Sequence, residues 1–218
     1  MKTLEFAPYQ EQRARWPSAG RHILAQYDDE SIVVYQAYRP EIGDFAAAHQ
    51  RFGGAWSFGR MSWIKPNFLW MMYRCGWASK AGQEVVLAVR LRRDGFDQIL
   101  AGAVHSSFVA EVYGDQASWK AAVKRSEVRL QWDPDHDPHG NKLQRRAVQL
   151  GLRGATLAQY AEPWILSIED ISARVRAERE LVRAGQLDRL STPRERVYPV
   201  TDAAVAARLG VDAEQAAR

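Results

Sequence analysis

Lys65, directly before Pro66, and Arg74, on the helix that Pro66 opens, are the two cations whose setting suggests chemistry. They belong to the stretch WSFGRMSWIKPNFLWMMYRCGWA, which runs from Trp56 to Ala78. Proline suits the first turn of a helix, so a helix is predicted from Pro66 to Arg74 or Trp77. That helix is apolar nearly all round and is expected to be buried. Arg74 is its only charge, and an uncompensated buried charge costs several kcal/mol. Two readings stay open. Arg74 pairs with an acid in the core, or it points into a cavity and uses its fork geometry on a carboxylate or phosphate. Lys65 is open in the same way. Backbone N–H groups at a helix start favour anions, and a lysine beside them strengthens the site. The same lysine can instead snorkel to water. Trp70, Tyr73, Arg74 and Trp77 share one helical face, which suits stacking of a base or another flat ring as well as it suits a core.

The run DPDHDPHG (Asp133–Gly140) brings three acids and two histidines together. Its spacing matches the opening of a calcium loop, but Pro138 stands where such a loop needs glycine and no closing glutamate follows, so an exposed polar loop without metal is expected. Cys75 lies inside the apolar helix and reads as packing rather than as a nucleophile. The sequence holds no GxGxxG, Walker, HExxH or GxSxG motif. From Ile171 to Arg196 seven arginines face four acids, which reads either as a solvated face with ion pairs or as a phosphate-facing stripe.

The elements that must position these residues follow from periodicity and turn chemistry. At 218 residues the chain suits one large domain with a core that needs no staple. An irregular arm is expected to Gly20, a single domain over residues 21–200, and a helix or tail over 201–218. Strands are predicted over His22–Tyr27, Ser31–Tyr38, Glu84–Arg92, Glu127–Trp132, Ala147–Leu152 and Trp164–Ile168. Helices are predicted from Pro40 to the Gly53-Gly54 stop, and over Phe96–Val104, Ser118–Lys124, Ala155–Ala161 and Ile171–Leu190. The irregular alternation favours an α+β fold, a mixed or antiparallel sheet with packed helices. One cysteine permits no intrachain disulfide, and no apolar run of signal-peptide or membrane-spanning length occurs, so a cytoplasmic protein is expected. The net charge of +4 suits an anionic ligand.

Four segments together are similar to one family: YDDESIVVYQAYRPEI, RMSWIKPNFLWMMYRCGWA, QWDP and RAVQLGLRG. They resemble the domain of unknown function 4291 family, over roughly Arg21 to Pro199. The resemblance implies a single small domain found mainly in bacteria, and no activity or cofactor comes with it. Within the shared blocks, Tyr35, Gln36, Arg60, Lys65, Arg74, Gln149 and Arg153 are polar residues with no evident packing reason to be there. The expected site therefore has Arg60, Lys65 and Arg74 on phosphate, Trp70 or Tyr73 stacking a ring, and Gln36 or Gln149 reading polar edges, with Tyr35 and Arg153 beside them. A nucleotide-like or nucleic-acid phosphate ligand is the first expectation, for a binding protein or an enzyme. An ADP-ribosyl-type transferase using NAD is one version of it, with Glu169 or Asp170 as its carboxylate. The alternative is a non-catalytic module that binds an acidic protein or RNA through the late basic helix.

Overall fold

A computed structural model describes residues 3–212 of the chain. Its centre is an antiparallel three-stranded sheet in the order β10–β6–β4, formed by Ile165–Asp170, Val85–Arg92 and Ser31–Tyr38. Strand β6 is buried on both faces, so its sequence VVLAVRLR is nearly unbroken in apolar residues rather than alternating. One face carries Ile32, Val34, Leu87 and Val89 into a large core. The other carries Val33, Tyr35, Val86 and Ala88 into a second one. Helices α2 (Pro40–His49), α4 (Arg93–Gly102) and α7 (Gly154–Ala161) cover the first face; α3 (Phe68–Cys75) and α8 (Ser172–Arg183) cover the second. The result is an α+β fold with mixed and antiparallel sheets and packed helices.

A second sheet is built on the hairpin β8 (Val128–His136) and β9 (Lys142–Leu152). Strand β7 (Ala103–His105) runs parallel beside β8, while β2 (Ala19–Arg21) and β5 (Ser62–Ile64) share the other edge of β9. The two sheets meet at one residue. Immediately after β5, Lys65 accepts from the Tyr35 N–H at 2.7 Å and donates its own N–H to the Tyr35 carbonyl at 3.2 Å. Pro66 disfavours the helical conformation for the residue before it, which holds Lys65 extended for this exchange.

Several expected boundaries move. The run DPDHDPHG is no exposed loop: β8 continues through it to His136 past an irregularity in register, and Asp135 and His136 are buried. The reason is Arg145, which donates to one Asp135 carboxylate oxygen through Nε at 2.8 Å and Nη2 at 2.6 Å. The arm before Gly20 contains β1 (Phe6–Pro8), which pairs with β11 (Ser191–Pro193), and helix α1 (Tyr9–Arg13). Helix α3 begins two residues after Pro66, because Asn67 is its cap and accepts from the Trp70 N–H at 2.7 Å. Helix α8 is shorter than its charge pattern predicts and ends before Gly185, whose φ of +71° suits glycine. Helix α9 (Ala203–Leu209) occupies the expected C-terminal position, and residues 213–218 of that segment lie outside the described residues.

Helix α2 packs so closely on β6 that a Cβ on Gly43 would lie 2.4 Å from Val85 Cγ1 and 2.5 Å from Val85 Cβ. In an exposed helix, Gly→Ala gains about 1 kcal/mol. Here overpacking costs about 1–3 kcal/mol and should win. Gly43→Ala is therefore expected to lower the denaturant midpoint; a raised midpoint would contradict this packing.

Candidate functional site

Where β4 ends, helix α2, the loop leading into β5 and the last turn of α3 enclose a cavity of about 460 Å³. Arg60, Lys65 and Arg74 all line it, and so does Arg39, which is exposed and paired with Glu41 at 3.0 Å. No carboxylate is among its described lining residues. Its neutral polar wall is a fixed network. The Tyr160 hydroxyl donates to Gln36 Oε1 at 2.5 Å, and Gln36 Nε2 donates to Ser62 Oγ at 2.8 Å and to the Trp63 carbonyl at 3.1 Å. Ser62 Oγ shares a 2.9 Å hydrogen bond with the Tyr38 hydroxyl, which accepts from Trp56 Nε1 at 2.9 Å. Burial pushes the Tyr38 and Tyr160 phenols above their ordinary range, so both stay protonated donors.

Each cation reaches the cavity for a local reason. Arg74 stands one turn from Met71 on α3, so both face the same way. The helix stops just beyond, at Gly76 in the left-handed conformation, and Lys80 Nζ caps the Arg74 carbonyl at 2.7 Å. Arg74 is exposed, and no salt bridge to it is found among the described residues. The buried core pair that an apolar helix could have implied is absent there. Arg60 enters from the loop before β5. Gly151 lets that loop lie flat, since a Cβ there would sit 2.6 Å from Met61 Sδ and 3.0 Å from the Trp63 ring.

Lys65 is the unusual member. The residue is 6% exposed, its ammonium opens on the cavity, and it has no hydrogen bond or ion pair to a described residue. Burial lowers its pKa, and the neighbouring Arg74 lowers it further, to about 8. The charge of Asp133 partly offsets this. Asp133 is itself occupied, accepting from Gln131 Nε2 and from Gln149 Nε2, each at 2.8 Å.

The other expected site residues lie elsewhere. Tyr35 neighbours Gln36 on a strand and so faces the opposite side, where its buried hydroxyl finds no partner beside Phe68. Trp70 and Tyr73 turn away from the cavity and stack on His136, at ring separations of 5.2 and 3.6 Å. Gln149 is engaged with Asp133 and does not line the cavity. Arg153 caps the end of α6 (Gln116–Arg125), donating to the Ser126 carbonyl at 2.8 Å and the Lys124 carbonyl at 3.2 Å. Glu169 and Asp170 end β10, at the far edge of the central sheet, and Asp170 is tied to Ser172. Neither lines the cavity. Tyr38, Arg39, Trp56 and Ser62 belong to the wall and were not expected. The signal for Tyr38 was available, because it stands two residues from Gln36 on a strand and must share its face.

Burial also accounts for the remaining groups of interest. It pushes the Cys75 thiol up, away from the reactive thiolate. It pushes His136 down, so that ring is neutral, and neither of its nitrogens has a partner. Among the described residues no group of three or more His, Cys, Asp or Glu is arranged to hold a metal ion. No helix among them is long and apolar enough to cross a membrane.

The match to a family model covers residues 22–198, and its description is Domain of unknown function (DUF4291). The chain belongs to this family. The matched span takes in the whole cavity, from Gln36 to Gln83, so the cation cluster lies within the DUF4291 domain. No curated protein matches the chain.

The Lys65 ammonium gives the folded state a measurable penalty. Its pKa falls from 10.5 in the open chain to about 8, so between these values the unfolded state binds more protons and stability rises with pH. Below pH 8 the penalty is fully present. Lys65→Met should therefore stabilise the protein at pH 7 by up to about 3 kcal/mol and flatten the rise above pH 8. A variant that is less stable than wild type at pH 7 would show that the ammonium is compensated.

Proposed function

We propose that this protein binds a phosphate-bearing small molecule in the cavity between β4, β5 and α3. The observation that carries the reading is a largely buried Lys65 side chain whose ammonium opens on a cavity with no ion pair to a described residue, beside Arg60 and Arg74 and with no carboxylate among the described lining residues. Buried charges are ordinarily paired, and a site that leaves one unpaired sacrifices stability that an anionic ligand restores. Arg60 and Arg74 supply forked donors, Lys65 a compact charge, and the half-buried Trp63 indole a wall for a flat ring. The volume is that of a small-molecule site. A nucleotide-like ligand fits this chemistry.

The geometry favours this over a module that reads an acidic partner through the late helix. Two of the four arginines of α8 are paired within the helix: Arg174 pairs with Glu178 at 2.7 Å and lies over the Phe6 ring, and Arg183 pairs with Glu180 at 3.4 Å. The transferase version has no carboxylate at the cavity to act on a ribose, so it is not carried further.

Sulfate is a suitable probe, because its charge is constant over the pH range that matters. Melting shifts should give a dissociation constant that is flat below about pH 7 and rises above pH 8 as Lys65 loses its proton. Arg74→Met and Arg60→Met should each weaken sulfate by about tenfold or more, the worth of a charge-assisted hydrogen bond, without loss of stability. A sulfate affinity that neither variant changes would overturn the reading.

A further inference from the structure

Four cations line the cavity, and they are not equivalent. Three are arginines, which stay charged at any pH the fold experiences. The fourth is an amine, the one member that can surrender its proton and expose a lone pair. Lys65 is the only buried lysine among the described residues; Lys80, Lys120, Lys124 and Lys142 are all exposed. Its ammonium has no hydrogen bond to a described residue, so no protein group has to be displaced before the nitrogen can react. Its backbone is fixed on both sides, by two hydrogen bonds to Tyr35 and by the following Pro66, so the side chain leaves a rigid base. The Tyr38 and Ser62 hydroxyls, in mutual hydrogen bond, stand on the same wall as proton carriers.

We propose that Lys65 is a covalent nucleophile for a phosphorylated aldehyde, forming an imine while Arg60 and Arg74 hold the phosphate. The inference rests on the anion-site reading above. The amine lone pair attacks the carbonyl carbon, and the C=O π pair moves to oxygen, which takes a proton. The nitrogen loses one proton to give the carbinolamine, whose hydroxyl leaves as water with a second proton while the nitrogen lone pair forms C=N, and the resulting iminium gives up the nitrogen's remaining proton. The net change is an aldehyde and an amine giving C=N and one water, with no oxidation. Guanidinium groups supply the site's permanent charge, which frees the amine from that duty. With its pKa at about 8, about a tenth of the molecules already carry a neutral amine at pH 7. Desolvation beside another cation is a recognised way to activate a lysine.

Trapping with borohydride tests this, since hydride addition converts the imine into a stable secondary amine. The full chain is treated with pyridoxal 5′-phosphate or glyceraldehyde 3-phosphate and with their unphosphorylated counterparts, then reduced and mapped by mass spectrometry. One equivalent should be found on Lys65, at least about tenfold faster with the phosphate than without it, and sulfate should protect. Lys65→Arg, shown by its denaturant midpoint to be folded, should lose the label. Label spread over Lys80, Lys120, Lys124 and Lys142 with no preference for phosphate, while sulfate still binds, would overturn the imine and leave the anion site standing. Absence of any sulfate shift in the wild type would overturn both.

Discussion

The exchange of two backbone hydrogen bonds between Lys65 and Tyr35 is the constraint on which the site depends. It is the only backbone pairing described between the two sheets, at the point where the chain leaves the edge of β9. Because Lys65 is extended and its neighbour is a proline, the chain cannot coil there. The helix must start afresh at Asn67, and it does so with a side-chain cap rather than with Pro66 in its first turn. That start sets the rotation of α3, and with it the direction of Arg74. A single residue therefore joins the sheets, delivers an amine to the cavity and sets the phase of the helix that brings the guanidinium.

Two deeply buried cations show how the fold separates scaffold from site. Arg145, 4% exposed, makes two hydrogen bonds to Asp135, a third to the Pro17 carbonyl at 2.6 Å, and lies over the Trp16 ring. It is compensated on every side, and removing Asp135 would strand it. Lys65 is comparably buried and has none of this. The nearby acid, Asp133, is held by two glutamines that draw its oxygens into their own hydrogen bonds. The same chain can thus satisfy a buried cation when it needs one for structure. At Lys65 no described side chain does this.

The cationic half of the site was legible in the sequence because it rests on local rules. Lys65-Pro66 and the lone Arg74 on an apolar helix are visible without tertiary information, and Arg60 lies in the same short block. The aromatic half was not legible. Trp70 and Tyr73 fall on the predicted helical face with Arg74, but His136 comes from a hairpin some sixty residues later and covers both rings. Arg153 looked free only because the carbonyls it caps belong to a helix whose end no pattern places beside it. Strand alternation, by contrast, was sufficient to separate Tyr35 from Gln36, and to add Tyr38 to the cavity wall. The central strands were readable because β4 and β6 are long and apolar. The end of β8 was not, since Asp-Pro-Asp-His-Asp-Pro reads as a loop until Arg145 is known to neutralise Asp135.

The most direct test of an acid-free cation cavity is a crystal structure grown in selenate, whose anomalous signal locates each bound anion. The account expects one ordered selenate within hydrogen-bonding distance of Lys65 Nζ and of the Arg60 or Arg74 guanidinium, at about 2.7–3.2 Å. Selenate found only along the exposed arginines of α8, with the cavity holding solvent alone, would contradict it.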